Sequence, residues 1–221
     1  MIWAYAVIPN EGHILADIWA FRTQPISALS PTFIPAICRA NRQIQSEAFP
    51  LFLPLAKFHI TSCGRIPFTK WLESFPDYEG FAAVRHLNFS YIFNGFWKSQ
   101  LSLMLQCAGL RTVELTIPLE LCLLPSRPAG STFPNQGENL IGEKQLGGLL
   151  ECENLELVVL ECFAIYPSDP QIRAMLKGRA IATAEWLEEG FRRRRMKTFV
   201  CRTVTVKMHY DGAYHTAGIG S

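Results

Sequence analysis

Short runs in which apolar and polar residues alternate are separated by stretches in which apolar residues recur every three or four positions. A period of two marks a strand with one buried face, and a period near 3.6 marks an amphipathic helix. The pattern predicts strands at 57–61, 84–91, 110–117, 155–163 and 203–210. It predicts helices at 35–53, 67–75, 96–108 and 137–152, and a long one from Asp169-Pro170 to about Lys197. In the 35–53 helix the expected stripe is Ile37, Ala40, Ile44, Ala48 and Leu51, with Pro50 and Pro54 ending it. In 96–108 the expected face is Trp97, Leu101, Met104, Leu105 and Ala108. Residues 13–21 read as one arm of a hairpin, 25–35 as a Pro/Ser-rich loop, and 211–221 as a frayed tail.

Two of these elements repeat. LQCAGLRTVEL (105–115) and LECENLELVVL (150–160) share Leu, Cys, Leu, Val and Leu at equivalent places, 45 residues apart. Val84, Leu87 and Phe89 repeat the spacing of Leu110, Val113 and Leu115, and of Leu155, Val158 and Leu160. A recurring helix–turn–strand unit predicts a stacked parallel sheet with crossover helices, an irregular leucine-rich-repeat-like α/β fold. The interval from 110 to 155 accommodates one unit plus a Pro/Gly/Ser-rich insertion at 118–137. The expected organisation is a helix/hairpin segment at 1–56, a repeat-like α/β domain at 57–210 and a flexible tail at 211–221.

Composition narrows the class. The chain has 221 residues, 49% hydrophobic and 18% charged, which describes a packed globule. A net charge of +2 gives no general attraction to nucleic acid or acidic lipid. Seven cysteines, an odd number set within apolar patterns, read as reduced thiols of the cytoplasm or nucleus. The opening MIWAYAVIP lacks the basic start of a secretory leader, and no run reaches the ~20 apolar residues of a membrane span.

The block CRANRQIQSEAFPLFLPLAKFHI (38–60) carries a family likeness. Asn41, Arg42, Gln43, Ile44, Glu47, Ala48, Pro50, Leu51, Phe52, Phe58 and His59 match a helix-then-strand pattern found in fungal F-box-like proteins of the E-x-R type. Met1-Ile2-Trp3-Ala4-Tyr5-Ala6 resembles the last turn and a half of their opening helix; the L-P-x-E-I-R half does not occur in the chain. The resemblance covers roughly 1–61. It implies a non-enzymatic protein-interaction role, as a substrate receptor of a cullin-type ubiquitin ligase or an orphan relative. The implied partners are proteins, including a Skp-type adaptor where an upstream helix exists, with no cofactor and no membrane.

Few residues invite chemistry. Arg192, Arg193, Arg194 and Arg195 form the one strong charge run, and an anionic ligand such as nucleic acid or a phosphorylated group is the alternative reading. Glu188 and Glu189 stand four residues ahead of Arg192 and Arg193, the spacing of helix ion pairs, so a solvated helix end is the favoured reading. Trp3 and Trp19 are expected as an exposed aromatic patch. Cys63 beside Gly64 is the best-placed nucleophile, but His59 four residues back is about 13 Å away on an extended strand, which leaves His86 on the next strand as the conceivable base. Cys107 and Cys152 occupy equivalent repeat positions and are expected to pack at helix–strand corners. No C-x-x-C spacing, phosphate loop or nucleophile elbow occurs.

Overall fold

A computed structural model describes residues 13–21, 31–39, 42–89, 97–118, 146–164, 170–194, 196–210 and 213–218. Seven strands follow one another in chain order in a single sheet: β1 His13–Ala16, β2 Lys57–Ile60, β3 His86–Phe89, β4 Thr112–Pro118, β5 Leu157–Ala164, β6 Phe199–Tyr210 and β7 Ala213–Gly218. β1 to β6 run parallel and β7 is antiparallel to β6. The chain is thus α/β. The α-helices among the described residues are α1 Arg42–Leu55, α2 Arg65–Glu73, α3 Glu79–Ala83, α4 Trp97–Gln106 and α5 Pro170–Arg193. Two compact units divide it: residues 1–90 with 99–113, and residues 91–98 with 114–221.

The first unit is built on an aromatic core. Phe58 of β2 packs on Phe33, on Phe52 of α1, and on Phe68 and Trp71 of α2, with ring centroids 4.9–6.2 Å apart. Trp71 also meets Phe49 and Phe75. Rings in tilted or edge-on contact add to the area they bury. This core explains why α1 runs past both of its prolines. Ala48, Phe49, Phe52 and Leu53 are buried on one face, and Pro50 is exposed on another. The apolar anchorage outweighs the two missing backbone donors. Leu51, expected in the stripe, is instead 42% exposed.

The segment read as a hairpin arm behaves differently. Only 13–16 is strand, and it lies parallel to β2 with Ile14 opposite Phe58 and Ala16 opposite Ile60. Asp17 ends it: its carboxylate accepts a hydrogen bond from the Ala20 backbone N–H at 2.8 Å and starts a 3-10 turn, Trp19–Phe21. The turn after β2 packs onto this end, and a Cβ on Gly64 would lie 2.8 Å from Asp17 Cα.

The repeat is visible as a shared turn. Val84, Leu110 and Leu155 donate their backbone N–H groups to the carbonyls of Phe81, Cys107 and Cys152, at 3.3, 2.9 and 3.2 Å. Each donor is buried and enters a strand whose alternate residues are buried. On α4 the buried side chains are Gln100, Leu103 and Met104, while Leu105 and Ala108 are exposed, a rotation away from the expected face.

In the second unit β5 pairs with β6 over eight residues, from Leu157 opposite Phe199 to Ala164 opposite Val206. Of the predicted 137–152 helix, Leu146–Glu151 is a 3-10 segment, which contains two of the four glycines in that stretch; 137–145 fall outside the described residues. The tail is not frayed throughout. Residues 213–218 form β7, folded back on β6 with Tyr210 opposite Ala213. Asp211-Gly212, a hairpin-forming dipeptide between two runs, is the signal for it.

Candidate interaction face

Parallel sheets are ordinarily covered on both faces and their strands are apolar throughout. Here every described parallel strand from β2 to β5 alternates instead. Phe58, Ile60, Leu87, Phe89, Val113, Leu115, Ile117, Val158 and Leu160 are at most 2% exposed. Their neighbours Lys57, His59, His86, Asn88, Thr112, Glu114, Thr116, Leu157, Val159 and Glu161 are half-buried or exposed. Within each unit, therefore, the buried residues of a strand share one face and the polar ones share the other.

In the first unit that outward face has a defined register. His13, Lys57 and His86 stand side by side across β1, β2 and β3. Leu15, His59 and Asn88 form the next row. The His13 and His59 rings lie 6.2 Å apart, tilted by 46°. Among the described residues no group of three or more His, Cys, Asp or Glu side chains is placed to hold a metal ion. In the second unit the outward face is less polar. Leu157 is opposite Phe199, which is 76% exposed, and Val159 is opposite Cys201. On β4 and β5, Thr116 donates its hydroxyl to the Glu161 carboxylate at 3.3 Å.

The residues singled out from the sequence are scattered. Arg192 and Arg193 both pair with the Glu189 carboxylate, the latter at 2.7 Å. Arg194 donates to the Leu150 carbonyl at 2.7 Å, capping the end of the 146–151 segment. It lines a recess of ≈520 Å³ with Leu150, Glu151, Glu153 and Met196, where two carboxylates accompany its charge. Arg195 lies outside the described residues, as do Trp3 and residues 119–137 of the insertion. Trp19 is 65% exposed beside β1.

The thiols divide as the repeat predicts. Cys107 and Cys152 are buried at equivalent corners. Burial, then the neighbouring Glu151 charge, pushes the Cys152 thiol up to about 11. Burial also raises Cys38, against a backbone hydrogen bond that lowers it. Cys63 is exposed in the turn after β2, with the Ser62 hydroxyl 4.0 Å from its sulfur.

The polar rows of the first unit are not a linear motif, and the sequence offers His59 and His86 only as distant bases for Cys63. KFHI and HLNF show their alternation, but only the pairing register makes neighbours of His13, Lys57 and His86. No helix among the described residues is long and apolar enough to cross a membrane. No family model, curated protein or solved structure matches the chain.

Proposed function

We propose that this chain is a non-enzymatic protein-interaction module that reads its partner with the outward face of its parallel strands. The single observation that carries this is the alternating burial of β2 to β5. In each unit it leaves one face of the parallel strands half-exposed. The shared turn at Val84, Leu110 and Leu155 supports an irregular leucine-rich-repeat-like design. The likeness of 38–60 to fungal F-box-like proteins gives the role its context: substrate recruitment for a cullin-type ubiquitin ligase, or an orphan relative of such a receptor. Trp19 at 65% exposure supplies an aromatic anchor at the edge of the same unit.

The test is binding with purified components. The chain is mixed with a Skp-type adaptor, and candidate substrates are captured with and without Asn88→Arg, Thr112→Arg and Val159→Arg on the outward face. A partner lost with these substitutions supports the reading. A partner retained by them but lost when Arg192, Arg193 and Arg194 become alanine overturns it in favour of an arginine-dependent ligand.

A further inference from the structure

Among the described residues of the first unit, no large apolar side chain is more exposed than Tyr78, at 73%. It stands between α2 and α3 in the stretch Glu73-Ser74-Phe75-Pro76-Asp77-Tyr78-Glu79, where every residue but Phe75 is exposed. Asp77 and Tyr78 both take up left-handed backbone, with φ of 49° and 59°. Aspartate tolerates that region, and a bulky residue such as tyrosine rarely enters it. Such a conformation persists only where its surroundings fix it, and it gathers at functional sites. Here the surroundings are aromatic. Phe75 packs on Phe49 and Trp71, with ring centroids 4.9 and 5.4 Å apart, and Phe81 is 1% exposed. Between these anchors the Glu79 N–H donates to the Pro76 carbonyl and closes the turn. The core therefore holds both ends, and the strained middle presents Tyr78 to solvent.

The charge around the ring has one sign. Residues 71–84 include Glu73, Asp77 and Glu79 and no lysine, arginine or histidine. All three carboxylates are exposed, and none has an ion pair or hydrogen bond. Arg85, the next cation along the chain, turns its guanidinium onto the Ala82 and Val84 carbonyls instead. The Tyr78 ring leans on Phe81 at 6.2 Å, tilted by 38°, and most of it stays open.

We propose that this turn binds an arginine of a protein partner, its guanidinium stacked on the Tyr78 ring and paired with the carboxylate of Asp77 or Glu79. The proposal rests on the interaction-module reading and adds to it a contact surface apart from the strands. Charge complementarity selects a cation, which both the ring and the carboxylates beside it attract. The carboxylates alone would take any cation. The ring narrows the choice, because a planar guanidinium stacks on it and still reaches a carboxylate with its fork, as a compact ammonium does not. Strain serves recognition here: the ring is in place before the partner arrives, so less freedom is lost on binding. The same negative charge disfavours nucleic acid.

The experiment uses the full chain and short labelled peptides with arginines in a glycine–serine background, beside lysine and citrulline twins. By fluorescence anisotropy the arginine peptide is expected to bind about fivefold more tightly than the lysine peptide, and the neutral citrulline peptide most weakly. Tyr78→Gly suits positive φ, so the turn keeps its backbone, and it is expected to lose about fivefold in affinity. Tyr78→Phe keeps the ring and is expected to stay within about twofold of the parent. Asp77→Asn/Glu79→Gln is expected to lose about fivefold and most of the salt dependence. Equal affinity for the arginine and lysine peptides overturns the proposal as plain charge attraction. Full affinity in Tyr78→Gly overturns it, as does a loss in Tyr78→Phe equal to that in Tyr78→Gly. A dimer of the chain that dissociates on Tyr78→Gly, seen by sedimentation, overturns a separate partner in favour of a second copy. These residues lie off the strands, so failure here removes the turn alone, and the strand-face reading stands or falls with its own substitutions.

Discussion

The guanidinium of Arg85 occupies the space that a side chain on Gly109 would need. Arg85 leaves α3 towards β3, donates to the Ala82 carbonyl, and accepts the Arg111 and Thr112 N–H groups on its own backbone carbonyl at 2.9 Å. Gly109 sits in the turn that brings α4 into β4. Two successive repeats are thus locked through one arginine and one glycine. Gly109→Ala is expected to cost about 2 kcal/mol, because a new methyl group meets both the Arg85 guanidinium and the Ala82 carbonyl. Arg85→Ala in the same chain should recover only part of this, since the carbonyl is backbone and stays. A double-mutant cycle by urea denaturation measures the coupling, and full additivity contradicts the contact.

A second test concerns backbone strain between α2 and α3. Asp77 and Tyr78 both adopt the left-handed region, with φ of 49° and 59°. For a non-glycine residue this costs about 1–2 kcal/mol. Tyr78→Gly relieves the strain and loses a tilted ring contact with Phe81, centroids 6.2 Å apart. Tyr78→Ala loses the ring and keeps the strain. The glycine variant should therefore be the more stable of the two by about 1 kcal/mol, read as the difference in urea midpoint. The opposite order shows that this turn is not strained.

The thiol at Cys152 makes stability depend on alkaline pH. Its folded pKa is raised from 9.0 to about 11 by burial and by Glu151. A group whose folded pKa is raised contributes stability that is fully present below its unfolded pKa. As pH passes 9 the unfolded chain releases the proton first, so the folded state loses ground until both forms are ionised near 11. The thermal midpoint is expected to fall across that window, and to fall less in Cys152→Ala. Matching slopes in the two proteins exclude Cys152 as the source.

These residues show what the sequence could and could not reveal. Strands β3 to β5 are legible because period-two burial is written directly in VxxLxF and LxxVxL, β2 because KFHI alternates, and the cysteine corners because they repeat. The limits of α1 are not legible. Pro50 and Pro54 are local breakers, overruled by the Phe52 and Phe58 packing that only the tertiary fold supplies. β1 was read with the wrong partner for the same reason: its four residues carry a strand pattern but no information on which strand lies beside them.

Arginines of the charge run are expected to differ in weight. Arg194 ties the end of α5 to the Leu150 carbonyl, so Arg194→Ala should cost about 1 kcal/mol. Arg192 shares Glu189 with Arg193 and is 79% exposed along its side chain, so Arg192→Ala should fall within about 0.5 kcal/mol of the parent. Raising salt should leave the Arg194 penalty largely in place, since its acceptor is a neutral carbonyl. Equal small effects for both variants place the whole run in solvent.

Adjacent residues on β2 give the most direct test of a one-sided sheet. Phe58 points into four aromatic rings, whereas His59 lies on the outward face. Phe58→Ala empties the middle of that core and is expected to cost about 4 kcal/mol, with Phe58→Leu costing well under half as much. His59→Ala removes no core volume and is expected to cost about 1 kcal/mol or less. The asymmetry should recur one strand over, large for Leu87→Ala and small for His86→Ala. Comparable losses at 58 and 59, measured by chemical denaturation, would mean that both faces of the strand are packed, and an outward recognition face would then have no room to exist.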